Sequence, residues 1–105
     1  MTATANSVFG TRLKDARLRA GLSQKQLGIV AGLDPFVAST RINRYELGVH
    51  KVDFPFASKL ADVLKVPVAY FYCDNDELAE LVYAFGRASR KDRANLLTVA
   101  RAIAN

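Results

Sequence analysis

Apolar positions in this chain recur at intervals of three and four residues along most of its length. No run alternates every second residue for long enough to make a strand. That periodicity marks helices with one buried face, and it predicts an all-α fold. Phe9, Leu13, Ala16 and Ala20 form the first stripe, closed by Gly21, a residue suited to a left-handed C-terminal cap. Ser23, with Gln26 three residues later, reads as a capping box opening a short second helix. Its inward residues are Leu27, Val30 and Ala31, and Gly32 stops it. Asp34 is expected to cap a third helix, with Pro35 at its first position and Gly48 at its end. Asp53 caps a fourth, with Phe54, Ala57, Leu60, Ala61 and Leu64 facing inward. A short fifth helix is expected over Val68–Tyr72. A sixth runs from about Asp76 to Phe85, with Leu78, Leu81, Val82 and Phe85 on one side and Gly86 as a break. Ser89 caps the last helix, whose apolar face is Leu96, Leu97, Ala100 and Ile103.

Composition narrows the class. Half of the 105 residues are apolar and 24% are charged, as expected for one folded domain. No apolar stretch approaches the ~20 residues that cross a bilayer. Residues 1–7 are small and polar and are expected to be a flexible N-terminus without a secretory signal. The lone Cys73 fits a reducing cytoplasm, and with no His or second Cys nearby it reads as a core residue.

The net charge of +5 is unevenly distributed. Residues 8–51 carry eight Lys/Arg against three Asp/Glu, residues 52–85 two against six, and residues 86–105 five against one. A basic front, an acidic middle and a basic tail suit a polyanion binder with a self-association region.

The segment Gln24–Glu46 is the specific part. A helix-turn-helix crosses two helices steeply over a tight joint. It needs a small residue midway along the first helix, a turn glycine after it, and two apolar anchors three residues apart on the second. Gly28, Gly32, and the pair Ile42 and Tyr45 meet those needs.

Gly21-Leu22-Ser23-Gln24-Lys25-Gln26-Leu27 and Ile42-Asn43-Arg44-Tyr45-Glu46-Leu47-Gly48 resemble the two signature stretches of the lambda-repressor/Cro (XRE) family. The resemblance covers Val8 to Tyr72. It implies a five-helix DNA-binding domain over residues 8–73, followed by two C-terminal helices over residues 74–105. That extension either packs on its own domain or forms a dimer interface. The implied function is a sequence-specific, double-stranded-DNA-binding transcriptional regulator, a repressor by preference. It is expected to be a cytoplasmic homodimer on an inverted-repeat operator, without cofactor or metal.

Gly32 and Ile42 stand ten residues apart, longer than the family's usual spacing by about one helical turn. The favoured reading places the extra residues in the recognition helix, spanning residues 35–47. A longer loop with the helix starting near Ala38 is the alternative.

On a wheel anchored at Ile42, residues Ala38, Ile42 and Tyr45 point inward, while Phe36, Thr40, Asn43, Arg44 and Leu47 point outward, flanked by Ser39 and Arg41. Arginine pairs with guanine, asparagine with adenine, and threonine or an aromatic touches a thymine methyl. The resemblance assigns base reading to Ser39, Thr40, Asn43 and Arg44, and the wheel adds Phe36. Phosphate contacts are expected from Gln24, Lys25, Arg41 and Lys51. The resemblance also implies that Arg17 pairs with Glu46, tying the first helix to the recognition helix.

Two other classes compete. An enzyme needs converging titratable groups or a nucleophile with its base, and one His, one Cys and scattered acids do not supply them. A protein-interaction module that keeps the fold is the stronger rival, because Phe36 and Leu47 put apolar groups on the recognition face. Within DNA binding, an antitoxin or restriction-modification controller fits as well as a host or phage repressor.

Overall fold

A computed structural model describes residues 5–105, with side-chain surroundings from Val8 onward. The described residues contain α1 (Ala5–Arg19), α2 (Gln24–Val30), α3 (Ala38–Glu46), α4 (Phe54–Leu64), a 3₁₀ turn (Val68–Tyr72), α5 (Asp76–Arg87) and α6 (Arg90–Ala104), and no strand. Of the N-terminus expected to be flexible, residues 1–4 lie outside the described residues, while α1 already begins at Ala5.

Leu13 from α1, Leu27 from α2, Ile42 from α3, Leu60 and Leu64 from α4, and Phe71 from the 3₁₀ turn are fully buried and form one core. The helices α1 to α4 contribute inward residues at three- and four-residue spacing, so apolar burial sets their relative positions. The capping box at α2 is complete: Gln26 donates its backbone N–H to Ser23 Oγ at 3.0 Å, and Ser23 N–H reaches Gln26 Oε1 at 2.8 Å. Gly28 lies under α3 so closely that a Cβ there would stand 2.7 Å from Cβ of Ala38. Gly32 takes φ +101°, a conformation that side chains resist.

The helix expected over residues 35–47 is shorter: it spans Ala38–Glu46. Asp34 caps a turn instead of a helix. Its Oδ1 accepts from Phe36 N–H at 2.8 Å and its carbonyl accepts from Val37 N–H at 3.0 Å. An aspartate that bonds the backbone two residues on offers the chain an alternative to helix. Pro35 fits the second position of such a turn. The residues beyond the family spacing are therefore loop, and Phe36 leaves the helix wheel.

Smaller corrections have local causes. Ala20 follows the end of α1 into the turn and is exposed. Val30 ends a seven-residue helix whose inner side Leu27 and Gly28 already fill, and it faces solvent. Phe54 is exposed because it opens α4, one turn before the first fully buried residue, Ala57. Gly86 does not break α5 but lies inside it, where a Cβ would overlap the Pro67 ring.

Polar contacts fasten α5 to the body. Arg12 Nη2 pairs with Asp76 Oδ1 at 2.9 Å, while its Nε donates to the Cys73 carbonyl at 2.8 Å. Arg19 of α1 places its guanidinium 4.4 Å from the Tyr83 ring centre, and Arg87, within α5 itself, lies 4.6 Å from the same ring. Tyr70 donates its hydroxyl to Asp15 Oδ2 at 2.6 Å. Burial, reinforced by that hydrogen bond, pushes the Tyr70 phenol up to about 12. Arg93 of α6 donates to the carbonyls of Phe85 and Gly86, both at 2.9 Å, and so closes the C-terminal end of α5. Beyond that clasp α6 buries no residue.

Candidate nucleic-acid interface

The exposed face of α3 follows from what its other face must bury. Ala38, Ile42 and Tyr45 are buried against α1, α2 and α4, so the 100° step per residue turns Ser39, Thr40, Asn43 and Arg44 outward. All four are exposed. Side chains that pair with guanine and adenine edges thus stand on one side of a helix narrow enough for a major groove.

A buried ionic knot anchors this face. Glu46 accepts from Arg17 Nε at 2.6 Å through Oε2 and from Arg17 Nη2 at 3.1 Å through Oε1. Arg17 also donates from Nη1 to the Leu22 carbonyl at 3.0 Å. Both side chains are withdrawn from solvent, 9% and 3% exposed, so the forked geometry and the extra acceptor offset their desolvation. Gly10 allows α1 to come this close, because a Cβ there would overlap the Glu46 carbonyl oxygen.

Gln24 is drawn into the same knot. Its amide nitrogen donates to Glu46 Oε1 at 3.0 Å and to Asn43 Oδ1 at 3.1 Å. A carboxylate only accepts, so Glu46 fixes which way the Gln24 amide faces. Both amide hydrogens are thereby committed, and Gln24 links Glu46 to Asn43. The sequence carried no sign of this link, since residues 19 apart follow no local spacing rule. Gly10 was equally silent, standing in an ordinary helical stripe.

The expected phosphate contacts surround this face unequally. Lys25 and Lys51 are exposed on either side of it in sequence, on α2 and just beyond α3. Arg41 is exposed and makes a long 3.4 Å contact with the Tyr45 hydroxyl. Lys14 of α1 joins Gln24, Asn43 and Leu47 around a cleft beside the knot, a basic contribution that sequence reading missed. Phe36 stands on the turn before α3, with 97% of its surface exposed. Among the described residues no group of His, Cys, Asp or Glu could hold a metal ion, and no helix is long and apolar enough to cross a membrane.

Comparison with known proteins agrees with this geometry. A family model described as a helix-turn-helix domain matches residues 8–70. The crystal structure of transcriptional regulator BswR superposes with a TM-score of 0.83 at 47% sequence identity, covering 88% of this chain and 91% of that one. No curated protein matches. The family match takes in α1 to the 3₁₀ turn, and the structural likeness reaches into the C-terminal helices; the chain belongs to the helix-turn-helix family of transcriptional regulators.

Proposed function

We propose that the protein is a cytoplasmic, sequence-specific regulator that binds double-stranded DNA with α3 in the major groove, and that it acts as a repressor. The observation carrying this reading is the division of α3. Ala38, Ile42 and Tyr45 are buried, while Ser39, Thr40, Asn43 and Arg44 stand free, with Asn43 braced by Gln24. Ser39, Thr40, Asn43 and Arg44 read base edges, and Lys25, Arg41 and Lys51 contact phosphates. In this proposal repression follows from occupancy of a site that overlaps a promoter.

The working form in this proposal is a homodimer on an inverted repeat. One short recognition helix reads few base pairs, whereas a two-fold dimer reads two half-sites a turn apart. Exposed Leu81 on α5 and Leu96, Leu97 and Ile103 on α6 supply an apolar surface for a second copy. Glu77 and Glu80 on α5 offer partners to Arg90, Lys91 and Arg101 on α6 in such a pair.

The exposed Phe36 and Leu47 favour the rival reading, a protein-interaction module on the same fold. Ionic strength separates the two. Affinity for a DNA duplex should fall linearly on a log–log salt plot, with a slope near −0.9 for each phosphate neutralised. A protein that fails to retain duplex DNA even at low salt supports the rival.

A further inference from the structure

Phe36 is the most exposed large apolar side chain in the described protein, at 97%. Its backbone, by contrast, is fixed. Phe36 N–H is bonded to Asp34 Oδ1, Val37 N–H closes on the Asp34 carbonyl, and Pro35 restricts the residue before it. The ring contributes nothing to the core, and the core cluster does not include it. A bulky aromatic held on a hydrogen-bonded turn without an intramolecular partner is free to meet an external one.

Its position identifies the partner's chemistry. The turn leads directly into Ala38–Glu46, and helix-turn-helix proteins present the N-terminal residues of this second helix to base edges. Phe36 therefore stands beside Ser39 and Thr40 at the leading end of the recognition helix. Its exposed chain neighbours Pro35 and Val37 are apolar, while Ser39, Thr40 and Arg41 just beyond them are exposed and polar. That makes a small apolar spot at the edge of a polar face, unlike the longer apolar stripe of α5 and α6. In a major groove the apolar group exposed at a base edge is the C5-methyl of a pyrimidine.

We infer that Phe36 is a specificity-determining residue that packs on the C5-methyl group of one pyrimidine in each half-site. This rests on the DNA-binding reading above. Thymine carries the methyl by nature and 5-methylcytosine carries it after modification. If the position is a cytosine, operator affinity responds to cytosine methylation.

The test uses the full chain and the duplex it selects from a random pool. Each thymine is replaced in turn by deoxyuridine, and each cytosine by 5-methylcytosine, on both strands, with affinity read by fluorescence anisotropy. One position per half-site should respond. Loss of its methyl should weaken the wild-type protein roughly three- to fivefold, the worth of one buried methyl, or gain of a methyl should strengthen it by the same factor. Phe36→Ala should bind the methylated and unmethylated forms of that position equally, with an unchanged melting temperature because the ring is exposed. Insensitivity of the wild-type protein at every position overturns the inference, as does a Phe36→Ala variant that keeps the same methyl response. Either result with sequence selection intact leaves the DNA-binding reading standing, whereas absence of any selected sequence overturns both.

Discussion

Glu46 accepts hydrogen bonds from Arg17 and Gln24, and Gln24 reaches on to Asn43, so one buried carboxylate organises three elements and a candidate base reader. Replacing it should therefore do two separable things. Glu46→Ala leaves the Arg17 guanidinium buried and unpaired, and we expect a loss of about 3 kcal/mol in urea unfolding. Glu46→Gln keeps one acceptor and should lose less stability. The outward residues should behave differently, because they carry no packing. Arg44→Ala should lose about 1–3 kcal/mol at one base position and relax selectivity there. Lys51→Ala should weaken all duplexes alike and flatten the salt slope by about one. Binding isotherms on a panel of single-base operator variants decide this, and equal losses on every duplex for both substitutions contradict the assignment of Arg44.

At the level of elements, the close approach of α2 and α3 depends on Gly28. Gly28→Ala puts a Cβ against both the side chain and the backbone of Ala38, so relief requires moving α3. We expect about 1–3 kcal/mol of destabilisation in urea unfolding, with weaker duplex binding because the recognition face shifts. The junction of α1 with the 3₁₀ turn should respond to alkali. Folding raises the Tyr70 phenol from the ordinary value near 10 to about 12, so the folded state retains a proton that the unfolded chain releases. Its stabilising contribution is complete below about pH 10 and is lost as pH rises towards about 12. In thermal melts over that window Tyr70→Phe should lose less stability with pH than the wild-type protein.

The same elements show what was legible beforehand. Caps such as Ser23, Asp53 and Ser89 are local chemistry, and each bonds its own helix start as the sequence implied. The segment Asp34–Val37 was misread because the same residues serve a helix start or a turn. An Asp followed by Pro fits both, and the choice depends on a hydrogen bond two residues on. Gly10, Gln24 and Lys14 were invisible in their tertiary roles. Contacts between residues distant in the chain leave no spacing to read.

For the whole molecule, the division of labour follows its surface. Residues up to the 3₁₀ turn supply most of the core and the polar face of α3, and Cys73 and Ala79 complete that core. Residues of α5 and α6 add length, a large apolar stripe and charges of opposite sign. If this extension joins two copies, Leu97→Asp combined with Ile103→Asp should shift the molecule from dimer to monomer in analytical ultracentrifugation. Operator affinity should fall steeply while the helical circular dichroism at 25 °C is kept, because neither side chain is in the core. A variant that remains dimeric refutes this interface.

Selection from randomised duplex DNA at near-physiological salt addresses the central claim, that α3 reads sequence in the major groove. We expect an enriched inverted repeat with half-sites about one helical turn apart, and its loss when Asn43 and Arg44 are both replaced by alanine in a protein that still folds. Enrichment unaffected by that double substitution, or retention of DNA without any preferred sequence, would contradict it.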